Sequence, residues 1–106
     1  MRAGRLRKRL TIQQPTEGSA DPLGEKPMTW SDVASVWAEV LPQSGREFYR
    51  AQQIHAELSH AISIRYRAGL TPRMRLVLEG RPLNVVAIIN VEERNRELLL
   101  YCAEEI

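Results

Sequence analysis

The chain has 106 residues, 43% of them hydrophobic and 26% charged, and its formal net charge at pH 7 is +2. The length predicts one domain over residues 1–106, and the composition is that of an ordinary globular protein with a modest core. No apolar run approaches the ~20 residues that cross a bilayer, and no apolar segment follows the charged N-terminus as in a signal peptide, so the sequence predicts a cytoplasmic protein with no membrane partner.

The first predicted element is a half-buried strand over residues 6–14, in which Leu6, Leu10 and Ile12 alternate with polar side chains. Basic residues crowd this end of the chain: Arg2, Arg5, Arg7, Lys8 and Arg9. Acidic residues crowd the other end: Glu92, Glu93, Glu97, Glu104 and Glu105. Arginine far outnumbers lysine, and its planar group suits interfaces with carboxylates and phosphates, although a solvated surface of mixed charge explains the composition equally well.

A long loop follows, over about residues 15–30. Its sequence contains Pro15, Pro22 and Pro27 together with two glycines and charges of both signs. Most connections in a compact domain are roughly 4–6 residues long, and longer ones are usually functional or poorly ordered. This loop is the first indication of a functional segment.

The next predicted elements are a second strand and a helix. The strand, over about residues 33–41, carries apolar side chains on both faces, which predicts partial cover on both sides. Ser44 and Glu47 then have the spacing of a capping box, a structural helix cap that begins a helix over about residues 44–57. The expected apolar stripe of this helix, which predicts that it lies across the sheet as a plug or lid, is Phe48, Ala51, Ile54, His55 and Leu58.

Four further strands complete the pattern, at about residues 62–66, 74–78, 83–91 and 97–104. Short turns separate them, which favours antiparallel neighbours. The alternation also predicts that Tyr66 faces the core, as Ile62 and Ile64 do. The fold class is therefore mostly β: a small six-stranded antiparallel β-barrel with one inserted α-helix (about residues 44–57) and a long loop (about residues 15–30).

No residue pattern indicates catalysis. The single cysteine, Cys102, excludes an internal disulfide and a multi-cysteine zinc site, and we expect it in the core. Neither His55 nor His60 has further ligands at metal-site spacing. No phosphate-binding loop, paired catalytic carboxylates or nucleophile with a histidine base can be recognised. We therefore expect no catalytic residue, no metal and no cofactor, and not an enzyme.

Several stretches, taken in order, resemble one known family. They are "MRAGRLRKRLTIQQP", "VWAEVLPQSGREFYRA", "ISIRYRAGLTPRMRL" and "RELLLYCAEE". Together they resemble the phage head-tail joining, or head-closure, proteins of long-tailed double-stranded DNA phages. The likeness covers essentially the whole chain. Its greatest weight lies in residues 36–51 and in the Ile64-Arg65-Tyr66 segment.

The resemblance implies a structural virion protein, encoded by a phage or prophage. Such a protein assembles as a ring of identical subunits below the portal and adaptor ring, closes the DNA-filled head and docks the tail-end or tail-completion protein. It is expected in the host bacterial cytoplasm during assembly and then in the virion neck. Packaged double-stranded DNA in the channel is a further possible partner.

Two groups of residues are the expected interaction sites. In some members of the family a loop projects into the channel, and the matching positions here form an interface or channel loop that includes Glu17, Asp21, Leu23, Glu25, Lys26 and Met28. The basic N-terminal strand is expected to face an interface or DNA through Arg2, Arg5, Arg7 and Arg9.

The alternative function is that of a small OB-like β-barrel that binds single-stranded nucleic acid. The barrel, the basic N-terminus and the abundant arginine favour it. The expected inward placement of Tyr66 and Phe48 argues against it, since such proteins expose aromatic rings on which bases stack.

Overall fold

Six strands and one helix make up the computed structural model, which describes residues 6–17, 24, 28–41 and 46–104. The strands are β1 (Lys8–Glu17), β2 (Met28–Val40), β3 (His60–Arg65), β4 (Arg75–Leu78), β5 (Arg81–Asn90) and β6 (Glu97–Glu104), and helix α1 spans Arg46–Ile54. A short 3-10 turn, Val91–Glu93, follows β5. Within these described ranges no helix is both long and apolar enough to span a bilayer.

All the strands are antiparallel to their neighbours and close into a barrel in the order β1-β2-β3-β6-β5-β4. Closure occurs where β1 meets β4, with Leu10 opposite Leu78. The predicted six-stranded barrel is thus confirmed. The expectation that the last four strands are neighbours holds for β4, β5 and β6 but is wrong for β3 and β4, because β4 closes the ring onto β1 and β6 occupies the edge of β3.

The barrel interior is filled by the inward-facing residues of every strand. Their alternation with outward residues is the period-two pattern of the sequence, and burying them is the main stabilising contribution to the fold. The largest fully buried side chains are Leu10, Ile12, Ile62, Ile64, Leu76, Leu83, Leu100 and Cys102. Cys102 therefore lies in the core as expected, and burial raises the pKa of its thiol to about 12.

Helix α1 lies against the outer wall of the barrel. Phe48 packs into a second, smaller cluster with Leu58, Ala61 and Tyr101, and the last two are direct neighbours across β3 and β6. Their strand neighbours Ile62 and Leu100 face the interior cluster, so Ala61 and Tyr101 face outward and need external cover. The prediction of a plug or lid is therefore wrong, because the helix covers an apolar patch on the outside.

The helix is shorter than the sequence indicated. It begins at Arg46 and ends at Ile54, and the His55 backbone N–H donates to the Ala51 carbonyl at 2.8 Å. Ile54, expected in the buried stripe, is 79% exposed. The apolar side chain that completes the cluster instead belongs to Leu58, in the turn that follows. Ser44 and the side chain of Glu47 lie outside the described residues, so the capping box remains a prediction.

The β1–β2 hairpin extends beyond the barrel as a two-stranded arm, which we define as residues 14–17 and 28–31. β1 pairs with β4 only over residues 10–13, whereas its pairing with β2 continues to Glu17 opposite Met28. The four additional pairs correspond to a projection of about 13 Å. The predicted loop is thus narrower than residues 15–30. Proline is tolerated at Pro15 because β1 has no second neighbour there, and edge strands accept proline.

Candidate functional site

The large exposed hydrophobic side chains of the described residues are concentrated on two parts of the barrel wall. Exposed apolar patches mark interaction sites more often than singly scattered residues do. The five side chains and their exposed fractions are Trp37 50%, Tyr49 62%, Ile54 79%, Tyr66 40% and Ile89 42%. Trp37 and Tyr66 lie together on one wall, while Ile54 and Ile89 lie together on another.

We call the first of these sites the tryptophan surface. It is a cleft of about 500 Å³, and its lining residues are Leu6, Val36, Trp37, Arg65, Tyr66 and Arg67. Trp37 faces outward from β2, since the next residue, Ala38, is fully buried. The guanidinium of Arg9 lies over its ring, 5.1 Å from the centroid, and the Arg9 Nε donates to the Ser35 hydroxyl at 3.0 Å. The indole is therefore exposed but fixed in position, which lowers the entropic cost of binding through it.

We call the second site the helix groove. It is a cleft of about 520 Å³ between α1 and the outer faces of β5 and β6. Its apolar lining residues are Ala51, Ile54, Ala87, Ile89, Val91, Leu99 and Tyr101. Arg50, His55 and Glu92 supply its polar rim. The groove exists because α1 covers only part of the outward apolar strip on β5 and β6, so that Ile89 remains 42% exposed.

The two surfaces are centred on different walls of the barrel. In the closed strand order, two strands separate β2 from β5 in either direction around the ring. Trp37 faces outward from β2, and Ile89 faces outward from β5 because its neighbour Ile88 packs on the interior cluster. These two side chains therefore point away from each other, whereas Tyr66, at the end of β3, lies beside Arg96 in the β5–β6 turn.

The charges on the two walls differ. Among the residues that the structure describes, no hydrogen bond or ion pair engages the side chains of Arg65 and Arg67, and both are exposed. Beside the helix groove, the β5–β6 turn exposes Glu92 and Glu93, the first of which pairs with Arg94 at 3.3 Å. The tryptophan surface is thus basic, whereas the turn at the groove carries charges of both signs, Glu92 and Glu93 together with Arg94 and Arg96.

The β5–β6 turn holds its glutamates in an uncommon backbone conformation. Glu92, Glu93 and Asn95 have φ values of 55°, 54° and 55°, in the left-handed region that non-glycine residues seldom adopt. The side chain of Asn90 fixes the turn, because its Oδ1 accepts from the Asn95 backbone N–H at 3.1 Å and its Nδ2 donates to the Asn95 side chain at 2.6 Å. The two carboxylates are consequently presented from a braced turn.

Most other acidic residues near the C-terminal end are satisfied within the chain. Glu104 accepts two hydrogen bonds from Arg81, which lower the pKa of that carboxyl, and Glu97 accepts from Ser63 at 2.8 Å. Glu79 pairs with Lys8 at 2.8 Å, and this hydrogen bond lowers the pKa of Glu79. Among the described acidic residues of the C-terminal end, Glu93 alone forms no hydrogen bond or ion pair with a described residue, since Glu92 pairs with Arg94.

The arm is braced where it leaves the barrel. The guanidinium of Arg75 lies 4.3 Å from the centroid of the Trp30 ring, and its Nε donates to the Gln13 Oε1 at 2.8 Å. Gln13 in turn donates through Nε2 to Asp32 at 2.8 Å. Towards the tip, the hydroxyls of Thr16 and Thr29 lie 2.7 Å apart across the two strands. These contacts join the arm base to β4 and so fix its direction relative to the barrel.

The sequence-predicted site residues fall into three groups. Arg9 contributes to the tryptophan surface through its contact with Trp37, and Arg7 lines a neighbouring cleft together with Glu39. Glu17 and Met28 pair at the far end of the arm. The remaining predicted residues lie outside the described residues: Arg2, Arg5, Asp21, Leu23, Glu25 and Lys26.

Sequence reasoning missed the tryptophan surface. Tyr66 was expected to face the core, but it is 40% exposed because β3 ends at Arg65. Its backbone N–H donates at 3.0 Å to the carbonyl of Arg96, in the turn just before β6. The available signal was compositional, since Tyr66 stands between Arg65 and Arg67, and aromatic and arginine residues are both enriched at interfaces.

Within the described chain, no three potential metal-ligating side chains lie close enough to hold an ion.

Comparisons with known proteins agree with this architecture. A family model described as phage head completion protein matches residues 1–105. The solution structure of protein SF1141 from Shigella flexneri 2a is 32% identical, with a TM-score of 0.71, and the match covers 98% of this chain and 96% of that one. A chain from the virion of a native gene transfer agent particle has the same fold at 21% identity, with a TM-score of 0.68 and 96% of each chain covered. No curated protein matches the sequence.

Proposed function

The chain belongs to the family of phage head completion proteins, and from this premise we propose that it assembles as a ring of identical subunits in the virion neck. The ring closes the DNA-filled head below the portal and adaptor ring and docks the tail-end protein. Residues 1–106 act as a single head-tail joining domain, made in the host bacterial cytoplasm. Family membership already makes the protein a structural component of the head, and the proposal adds the ring, its location and its neighbours.

The observation that carries the ring proposal is the pair of exposed apolar surfaces on different walls of the barrel. In a ring, the front of each subunit contacts the back of the next, so a subunit needs two different surfaces rather than one self-complementary patch. The tryptophan surface and the helix groove differ in both shape and charge, and they share no residue. A related chain forms part of the virion of a gene transfer agent particle, which further supports a position inside an assembled virion.

We propose that the tip of the arm and its connection, residues 16–29, contact a neighbouring subunit or the central channel. The paired end of the arm extends past the barrel, so it lies beyond the barrel wall. Leu23 and Met28 are apolar, and a segment that contacts only solvent does not require apolar side chains. Ordering such a loop costs roughly 1–2 kcal/mol per residue in backbone entropy, which contacts within an assembled ring would offset.

The basic N-terminal segment is the proposed contact with an acidic neighbour or with packaged DNA. Arg7 and Arg9 are exposed on the outer side of the chain's first strand region. Arginine groups that line a channel would attract phosphates, and each neutralised phosphate would make the interaction more sensitive to salt. A channel that lets DNA pass requires few such contacts.

The ring proposal is tested by adding the purified chain to an isolated portal–adaptor complex and imaging the product by cryo-electron microscopy. We expect an additional ring of density with the rotational symmetry of the adaptor. A complex that retains its two-part outline at saturating concentrations of the chain would contradict the proposal. The family's head-closure role is tested separately in a phage that lacks the gene, whose filled heads should lose DNA and remain tailless.

Binding of single-stranded nucleic acid is a second candidate function, because Trp37 and Tyr66 are exposed together beside Arg65 and Arg67. Base–aromatic stacking contributes about 1–3 kcal/mol per base. Fluorescence anisotropy of a labelled oligodeoxynucleotide discriminates between the functions. Micromolar, salt-sensitive binding that the Trp37→Ala variant loses would favour this second function, whereas the ring proposal predicts no such binding by the free chain.

A further inference from the structure

We propose that the tryptophan surface of one copy docks into the helix groove of the next copy, with Arg65 and Arg67 facing Glu92 and Glu93. The inference rests on the proposed ring and identifies the subunit contact that builds it. In this inference the two exposed surfaces contact each other in neighbouring copies, rather than the adaptor or the tail.

Apolar complementarity is the first argument. Within the described residues, Trp37 and Tyr66 are the large exposed hydrophobic side chains of one surface, and Ile54 and Ile89 are those of the other, while Tyr49 on α1 lines neither. Interface residues that contribute most binding free energy are enriched in tryptophan, tyrosine and arginine, seated in apolar pockets. The helix groove supplies such a pocket, with a volume of about 520 Å³ and a mainly aliphatic lining.

Charge sets the orientation of the docked copy. Arg65 and Arg67 form no ion pair with any described residue, so their guanidinium groups are available to a partner. At the groove, Glu93 stands beside Glu92 on the braced β5–β6 turn. The helix side of the groove carries Arg50, so docking with the arginines towards the helix would bring like charges together. Docking with the arginines towards the turn brings them to Glu93, the carboxylate there that pairs with no described residue, and this orientation is favoured.

The difference between the two surfaces determines what such a contact builds. A contact between a surface centred on β2 and a surface centred on β5 is heterologous, so each docked copy exposes a fresh groove for another copy. A repeated heterologous contact closes into a ring when the rotation between successive copies divides a full turn.

Cysteine cross-linking tests the contact directly, because the native thiol does not interfere. Cys102 is fully buried, and its pKa of about 12 leaves it unreactive near neutral pH. Two single variants are prepared, Arg67→Cys and Glu93→Cys, and both positions are exposed. They are mixed, assembled on the portal–adaptor complex, and oxidised. Using separate chains excludes a disulfide within one chain.

We expect a disulfide-linked dimer from the mixture and none from either variant alone. Rings that form normally but give dimers of Arg67→Cys with itself, or a link to an adaptor or tail protein, would overturn the docking while leaving the ring proposal intact. The same holds for normal rings that give no cross-link. Failure of the wild-type chain to form any ring would overturn the proposed function, and the docking with it.

A charge exchange provides a matched second measurement. Arg67→Glu should reduce ring incorporation about tenfold or more, since a repelled or unpaired interface charge is costly. Adding Glu93→Arg in the same chain exchanges both partners at every contact and should restore incorporation. A double variant as defective as Arg67→Glu alone, with an unchanged melting temperature, would overturn the pairing.

Discussion

The closed barrel and the projecting arm are built from the same two strands and differ in how those strands are held. Inside the barrel, β1 has β2 on one side and β4 on the other, and its side chains Leu10 and Ile12 are buried. In the arm, each strand pairs only with the other strand. The same hairpin thus passes from a segment that stabilises the fold into one that is free to contact something else.

This difference separates stability from function along one continuous element. Burial of a core side chain stabilises by roughly 1.5–3 kcal/mol, whereas exposed pairs across two strands contribute 0.2–1 kcal/mol. Substitutions in the barrel are therefore expected to act on the free energy of unfolding, and substitutions towards the arm tip on assembly. Four predictions test this division.

The largest effect is expected for Leu100→Ala in the barrel. Leu100 is fully buried on β6, with Ile62 opposite it on one side and Ile88 on the other. Removing it leaves a cavity, so the free energy of unfolding should fall by about 2–5 kcal/mol in urea denaturation. Ile89→Ala, on the outer wall next to Ile88, is the matched control and should cost clearly less. Equal losses in the two variants would contradict the division between interior and wall.

A smaller effect is expected for Ser44→Ala, just before α1. Loss of a helix N-cap costs about 0.5–2 kcal/mol, and Ser44→Asn should retain stability because asparagine also caps. Thermal and urea denaturation measure both variants. If Ser44→Ala kept full stability but failed to assemble, Ser44 would be an interface residue rather than a cap.

A substitution at the base of the arm should reduce stability by less again. Trp30→Ala removes the stack under Arg75, a contact of about 0.5–1 kcal/mol at exposed sites. Hydrogen exchange should accelerate at the backbone amides of residues 14, 16, 17 and 28–31 and remain unchanged in β3 and β6. Trp37→Ala removes a similar stack from the barrel wall and serves as the control. Faster exchange throughout the barrel in Trp30→Ala would show that the arm and the barrel form one cooperative unit.

The smallest effect on stability is expected at the arm tip. Because Glu17 pairs with Met28, residues 18–27 can be replaced by Asn-Gly, which suits a two-residue hairpin. The free energy of unfolding should stay within about 0.5 kcal/mol of the wild-type value. In phage complementation the same variant should give heads that leak DNA or do not accept tails. A replacement of equal length by Gly and Ser separates loop length from loop sequence, and normal infectious yield from both variants would refute a function for the tip.

The sequence was sufficient to predict most of the strands, because the alternation of apolar and polar residues along a strand is a local pattern. Leu76 and Leu78, for example, alternate with Arg75 and Val77, and the burial of β4 follows that alternation. The arm was harder to recognise, since proline and glycine normally indicate a loop. Thr16 and Thr29 stabilise a ladder only when the chain brings them together, at a separation that no local pattern reveals.

The non-local arrangement of the strands also explains the other differences between the sequence predictions and the structure. The pairing of β3 with β6 skips two strands, and the position of α1 depends on Ala61 and Tyr101, which become one outward patch only after that pairing. The exposure of Tyr66 follows from the end of β3 at Arg65. Of the candidate site, the sequence indicated Arg9 and the location of the loop, but it could not place Trp37 and Ile89 on opposite walls.

The strand order has a consequence for synthesis of the protein. β6 is the last of the six strands along the chain, yet it lies between β3 and β5 and supplies Leu98, Leu100 and Cys102 to the interior. Until the ribosome has made β6, β3 and β5 both present unpaired edges to the crowded cell, where exposed strand edges invite aggregation. The barrel therefore closes late in translation, and a chain interrupted before residue 97 lacks the strand that joins its two halves.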